Sequence, residues 1–407
     1  MCFFYFIHED EIGGIKLVSS KVRFSILISF VTISGFSQGM LLPLLAIVLE
    51  QNGVSSSING LHATGLYIGV LLASPFMEKP LQKLGYKPII LIGGFLVIAS
   101  LAFFPIWQAL WFWFILRLLV GIGDHMLHFA TQTWITSTAA PERRGRVIAY
   151  YGLFFSLGFS LGPTMTRLLQ VHESLPFIVA AGLCFIIWLL MFFVRNEFVS
   201  TNDDVATVEV RSAIGRFVKT GKIAWVAFLA PFAYGILEST LHGIFPVYGL
   251  RIGHDVNLIS LVIPLFSMAS LITQIPLGIA SDKIGRKRML MIVIISGIII
   301  FLVGAQLEES VVWLFITFAI AGMLLGSLYS LGVSYMADLL PRALLPAGNI
   351  MCGIAFSLGS IIGPYIGGRF IELFPNTSFF YVIVFLLLLV VIAISTKKET
   401  QAVMHGA

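Results

Sequence analysis

Twelve stretches of largely apolar residues run through this chain of 407 residues, each near the length a helix needs to cross a bilayer. They are residues 24–49, 58–77, 88–106, 109–137, 147–168, 175–194, 223–249, 256–280, 289–306, 311–337, 347–371 and 378–395. About 20 apolar residues span a hydrocarbon core roughly 30 Å thick. No water reaches backbone groups in that core, so only helices and closed barrels cross it. Barrel strands would be about 10 residues long with apolar and polar positions alternating. Runs such as LLLLVVIAI, ending at residue 394, are apolar on every side and predict helices.

The composition agrees: 58% of residues are hydrophobic and 11% charged, against about 25% charged in soluble domains. That excludes the soluble enzyme classes. Cys2, Cys184 and Cys352 make no disulfide framework and no metal-ligand spacing. The net charge of +5 follows membrane topology rather than nucleic acid, because 21 of the 25 Lys and Arg fall on one side of the alternating loops. The other side holds Arg167, Arg251 and Arg369, and Arg117 lies within the fourth stretch. The positive-inside rule then predicts a multi-pass protein of the plasma (inner) membrane with both termini cytoplasmic. Residues 1–23 form a cytoplasmic segment carrying Glu9, Asp10 and Glu11. No small-residue cleavage site follows the first stretch, which reads as an anchor rather than a signal peptide.

Residues 195–222 interrupt the apolar pattern with charge, Thr and Asp. They predict a cytoplasmic linker between two six-helix halves, 24–194 and 223–395, with a short tail at 396–407. The halves repeat. PLQKLGYKP at 80–88 aligns with IASDKIGRKR at 279–288, Lys83, Gly85 and Lys87 matching Lys283, Gly285 and Lys287 at an offset of 200. Gly158, Gly162 and Pro163 match Gly359, Gly363 and Pro364 at an offset of 201. Parallel repeats of this kind place a transporter's substrate site at the midplane between halves.

From the first apolar stretch to the last, the chain resembles the major facilitator superfamily, and three motifs carry the resemblance. Gly278-Ile-Ala-Ser-Asp282-Lys283-Ile-Gly285-Arg286-Lys287-Arg288 is similar to the family's gating loop between helices 8 and 9. Its first-half copy has Gln82 where the family places Asp, and Tyr86 and Pro88 at basic positions. Arg117-Leu-Leu-Val-Gly121-Ile-Gly123 resembles the helix-4 R-x-x-x-G-x-G motif, followed by PERRGR at 141–146. Gly158-x-x-x-Gly162-Pro163 resembles the antiporter signature of helix 5 but has Thr166 and Arg167 in place of its closing glycines. Helix 11 has the fuller ending, Gly359-x-x-x-Gly363-Pro364-Tyr-Ile-Gly367-Gly368. The resemblance implies an all-α membrane protein of twelve transmembrane helices in two six-helix bundles related as parallel repeats. It also implies a transporter rather than an enzyme, similar to bacterial drug and metabolite exporters of the proton-antiport branch. Read as packing, the same glycines bring helices close and the prolines kink them.

Polar groups inside the spans are the site candidates. At about 100° per residue, Arg117, Gly121, Asp124, His128 and Gln132 share a stripe of roughly 80°. A charge at the bilayer centre costs roughly 2.5 to 3.5 kcal/mol, so such groups face the protein interior and mark pathways. Arg117, Asp124, His125 and His128 in the first half, and Glu238 in the second, are the proton-coupling candidates. The competing reading is that Arg117 and Asp124 only hold the bundle in register. His125-x-x-His128 lacks the further ligands a zinc site needs. Tyr234, Glu238 and His242 form a stripe on helix 7, and Asp124 and Glu238 could face one cavity. Gln38, Gln132, Tyr234, His242, Gln274 and Tyr329 are the substrate-cavity candidates. No P-loop is present, so ATP is not the energy source, and no cofactor is implied.

The function that follows is proton-coupled efflux of a small amphipathic or hydrophobic organic molecule by a monomer in contact with lipid, with no nucleic-acid partner. Proton-linked uptake or facilitated diffusion is the rival within transport. A membrane sensor or scaffold that has kept the fold is the rival outside it.

Overall fold

The computed structural model describes residues 20–139, 144–198, 210–341 and 344–396. The acidic cluster at 9–11, the residues 141–143 of the PERRGR loop, Arg342, and Lys397 with Lys398 lie outside the described residues. Every regular element among the described residues is helical, and twelve spans follow in order. In the first half they are α1 (Ser20–Gln51), α2 in two pieces (Ser56–Ala63 and Gly65–Ala73), α3 (Tyr86–Phe103), α4 (Leu110–Thr138), α5 (Arg144–Leu161) and α6 (Leu175–Leu190). The second half holds α7 (Val210–Gly243), α8 (Val256–Ile284), α9 (Arg286–Leu307), α10 (Val311–Leu325 and Leu328–Leu339), α11 (Leu345–Leu373) and α12 (Phe380–Thr396). This is the twelve-helix transmembrane architecture that the apolar stretches predict.

Where the structure departs from uniform helices, the local chemistry gives the reason. The stretch 58–77 is not one helix but breaks at Thr64, whose hydroxyl donates to the Leu61 carbonyl at 2.6 Å. Such a side-chain bond competes with the helical ladder. After Gly162 and Pro163 the fifth span tightens into a 3₁₀ turn over Gly162–Gln170, because proline cannot supply the next backbone donor. Residues 210–222, read from sequence as linker, are helical and run into α7, with a kink at Ala224 (φ −114°, ψ 15°).

The repeat is visible in the backbone itself. Positive φ occurs at Gly53 and Gly253, and again at Gly85 and Gly285, each pair 200 residues apart. Gly85 (φ 81°) and Gly285 (φ 100°) each end one helix and start the next within a single residue, a conformation that a side chain would strain.

The contacts divide the chain into two compact units. Among the described residues, the first takes those within 20–54, 61–198 and 249–264, and the second those within 55–60, 210–248 and 265–396. In the first unit α1 and α5 pack backbone to backbone: a Cβ on Gly158 would meet the Thr32 carbonyl oxygen at 1.9 Å. Also within it, Arg251 binds Glu50 at 2.6 and 3.2 Å and Arg167 donates to Ser260 at 2.8 Å. In the second unit α7 and α11 repeat the close pairing, with a Gly359 Cβ placed 2.1 Å from the Phe232 carbonyl oxygen. The glycines of the proposed antiporter signature therefore serve close helix approach in both units.

Candidate functional site

The first unit carries a polar cluster deep in its spans. Arg117 and Asp124, both on α4, are each about 1% exposed. They do not pair with each other. Arg117 Nη2 donates to the carbonyls of Leu41 and Leu42 on α1, at 3.2 and 3.4 Å, just before Pro43. Its Nη1 has no partner among the described residues. The glycines of the same motif explain how α4 comes so close to its neighbours. A Cβ on Gly121 would meet the Leu66 carbonyl oxygen of α2 at 2.0 Å, and one on Gly123 the Gly93 carbonyl oxygen of α3 at 2.6 Å.

Asp124 is held by neutral groups. Its Oδ1 accepts from Ser34 Oγ of α1 at 2.5 Å, and its Oδ2 has no partner among the described residues. Asp124 borders a small cavity also lined by Phe30, Ser34, Ser37, Gly94 and Cys184. Ser34 Oγ lies 3.0 Å from His128 Nε2, and Gln38 Nε2 lies 3.3 Å from the same nitrogen. His128 Nδ1 in turn makes a short hydrogen bond with the Tyr151 hydroxyl of α5. One residue along α4, His125 points elsewhere: its Nε2 is 3.1 Å from Ser74 Oγ and its ring stacks on Phe129. Gln132, at the edge of the predicted stripe, is exposed.

The second unit carries a separate set. Glu238 is 9% exposed and His242 fully buried on α7. His242 Nδ1 is 2.8 Å from the Glu238 main-chain carbonyl, and its Nε2 is 3.4 Å from Ser267 Oγ of α8. One turn before Glu238, Tyr234 meets Tyr329 of α10 and Phe356 of α11, with ring centroids 6.4 and 6.0 Å away. Tyr329 and Phe356 stand edge to face at 5.8 Å. This aromatic trio lies beside a buried carboxylate. Gln274 on α8 is exposed.

The basic loop between α8 and α9 is organised around Arg286. It pairs with Asp282 one turn before it, donates from Nε to Asp338 Oδ2 of α10 at 3.1 Å, and from Nη1 to Ser281 Oγ at 2.5 Å. Asp338 is a partner that the motif alone does not name. In the first-half copy, residues after α6 do the corresponding work. Asn196 accepts from the Lys87 amide at 3.0 Å and donates to the Leu84 carbonyl at 2.8 Å. Lys87 Nζ donates to the carbonyls of Phe192 and Val194.

Tyr151 and Phe356 are site residues that sequence reasoning missed, and Ser34 stood there only as one of several hydroxyls of helix 1. A hydroxyl in a membrane helix is an ordinary packing group, and only the fold shows which hydroxyl reaches a carboxylate.

The family model of the Major Facilitator Superfamily matches the chain twice, over residues 27–256 and 227–403. An MFS-type transporter of Bacillus subtilis (strain 168), YfkF, is 50% identical over 362 residues, covering 89% of this chain and 92% of that one. Multidrug resistance protein 2 of the same organism is 23% identical over 372 residues, 87% of this chain and 90% of its own. Among solved structures, the nucleoside transporter NupG superposes with a TM-score of 0.76 at 14% identity, covering 92% of this chain and all of the other. A bacterial homologue of the lysosomal transporter Spinster, inward-facing and unoccupied, superposes with a TM-score of 0.70 at 15% identity, over 86% and 82% of the two chains.

Proposed function

The chain belongs to the Major Facilitator Superfamily, and from that premise we propose that it is a proton-coupled exporter of small amphipathic or hydrophobic organic molecules. Family membership makes it a multi-pass membrane protein with a transport role. The observation that carries the finer reading is Asp124. It is a carboxyl group 1% exposed within a span, bonded to a serine hydroxyl, with no ion-pair partner among the described residues. A buried acid without a fixed counter-charge gains and loses its proton according to which side of the membrane it communicates with. Glu238 is the buried acid of the second half, on α7 rather than on the helix that repeats α4. Tyr234, Tyr329 and Phe356, beside it, offer the aromatic faces that an apolar or cationic organic molecule binds.

The relationship to a relative named Multidrug resistance protein 2 supports export of such molecules. On this reading residues 24–194 and 223–395 are the two repeats, joined by 195–222, in a monomer of the cell membrane with both termini cytoplasmic. Proton-linked uptake is the second reading, favoured by Thr166 and Arg167 standing where the antiporter signature closes with glycines. Purified protein in liposomes, loaded with ethidium and given an imposed pH gradient of either sign, tests both. Movement of ethidium toward the acidified side supports exchange for protons, movement away from that side would favour proton-linked uptake, and indifference to both gradients would sink proton coupling.

A further inference from the structure

The Asp124 carboxyl is the inner end of an unbroken hydrogen-bonded chain that crosses three helices of the first unit. Ser34 Oγ is 2.5 Å from Asp124 Oδ1 and 3.0 Å from His128 Nε2, and His128 Nδ1 is bonded to the Tyr151 hydroxyl. Ser34 is 2% exposed and Asp124 1%, whereas Tyr151 is only partly buried and follows the exposed Arg146 and Tyr150 in the opening turns of α5. At 1.5 Å per residue, Tyr151 lies about 10 Å along the axis from the first residue of that helix. The chain therefore runs from a buried acid toward the helix end at which the basic residues cluster.

We propose that Ser34, His128 and Tyr151 form the proton path of Asp124, with Tyr151 as its entry. The proposal rests on the reading that Asp124 exchanges protons. The step balances with one proton in and one bond shifted at each link. A proton arriving at the Tyr151 oxygen releases the phenolic proton to His128 Nδ1. His128 gives up its Nε2 proton to Ser34 Oγ, and Ser34 gives its own to Asp124 Oδ1. Asp124 ends as a carboxylic acid, and the imidazole ends with its proton on Nδ1. Release runs the same links backwards.

The surroundings leave this route little competition. Of the elements packed on Asp124, α1 contributes Ser34, Ser37 and Gln38. From α3 come Gly94, Val97 and Ile98, and from α6 Cys184. On α4 itself His125 is engaged with Ser74 of the segment after α2. Arg117, seven residues before Asp124, is engaged with main-chain carbonyls of α1. Tyr151 is the group by which α5 joins, and its ring stands edge-on to His128 at 5.9 Å.

The test needs no knowledge of the substrate. Full-length protein in phosphatidylethanolamine–phosphatidylglycerol liposomes is subjected to a rapid pH drop while the carboxylic-acid carbonyl stretch is followed by infrared difference spectroscopy. The band missing from Asp124→Asn belongs to Asp124. Tyr151→Phe, which keeps the ring against His128, and Ser34→Ala are each expected to slow the growth of that band by roughly 100-fold. The final amplitude at low pH should stay at the wild-type level, which also shows that the variants are folded. Ser34→Thr, which keeps a hydroxyl, is expected to restore the rate. Wild-type kinetics in both Tyr151→Phe and Ser34→Ala would overturn the path while leaving Asp124 as a proton site. A wild-type protein with no Asp124 band at any pH would overturn both readings together.

Discussion

The indole nitrogen of Trp134 on α4 donates to Oε2 of Glu197, three residues past the buried Val194, at 2.7 Å, while Arg23 at the start of α1 binds the other carboxylate oxygen. Arg23 also lies over the Trp134 ring at 5.7 Å, and the Tyr86 ring stacks with the same indole at 5.2 Å. The Glu197 main-chain carbonyl accepts from the Tyr86 amide at 3.0 Å. One glutamate thus joins α1, α3 and α4 at the end of the first unit where the loop motif has Gln82 in place of an acid.

Glu197→Ala should therefore lower the apparent melting temperature in detergent by a few degrees. It removes two charge-assisted bonds and leaves the Trp134 N–H and the Arg23 guanidinium without that acceptor. The Glu197 side chain is 39% exposed, so solvent takes up part of the loss and about 1 kcal/mol is the expected scale. Differential scanning fluorimetry of Glu197→Ala beside Glu197→Gln measures it. Identical melting for wild type and both variants would mean that the cluster contributes nothing.

At the α8–α9 turn the two acids that flank Arg286 are 59% and 56% exposed, so neither pair stabilises the fold by much. Their effect should be on the rate of cycling. Asp282→Asn and Asp338→Asn are each expected to slow ethidium flux a few-fold, since Arg286 keeps one carboxylate. The double variant should match Arg286→Ala. Strict multiplication of the two single effects would show that the acids act separately rather than through one guanidinium.

Glycine positions on α11 separate close packing from mere composition. Gly353 has no atom within 4 Å of where a Cβ would stand, whereas Gly359 faces the Phe232 carbonyl oxygen at 2.1 Å. Gly353→Ala should be neutral or raise stability by up to about 1 kcal/mol through helix propensity. Gly359→Ala must push α7 and α11 apart and should cost about 1–3 kcal/mol. Folded yield by fluorescence-detected size exclusion checks both, and equal yields would refute the backbone contact.

These contrasts mark what the sequence could reveal. Apolar length predicts the twelve spans, because lipid imposes the same demand on every segment that crosses it. The repeat was legible at Gly85 and Gly285 because a turn of one residue admits little but glycine. Burial of Arg117 and Asp124 follows from the cost of charge in lipid, but their partners do not. Ser34 lies 90 residues from Asp124, and no local pattern distinguishes it from a packing serine. His125 stands about 100° round the helix from Asp124, so adjacency in the chain placed it beside a residue that it does not meet. Glu197 sits in a polar segment whose composition carries no period, and only the folded unit shows that its carboxylate binds Trp134 and Arg23.

The sharpest functional expectation concerns the two buried acids. A group couples transport to protons only if its protonation differs between the two states it visits, and an amide cannot differ. Asp124→Asn and Glu238→Gln keep size and hydrogen-bonding capacity, so a loss of coupling cannot be ascribed to a cavity. Each should weaken the response of ethidium flux to an imposed pH gradient while leaving downhill exchange across the liposome membrane. The effect should be larger at Asp124, because Ser34 and His128 connect it to Tyr151, than at Glu238, where His242 is engaged with main chain and Ser267. Measurement of ethidium accumulation at zero, acid-inside and acid-outside gradients separates coupling from exchange in the same vesicles. Accumulation that still follows the gradient in Asp124→Asn, in Glu238→Gln and in the double variant would show that both carboxylates only hold the helices in register.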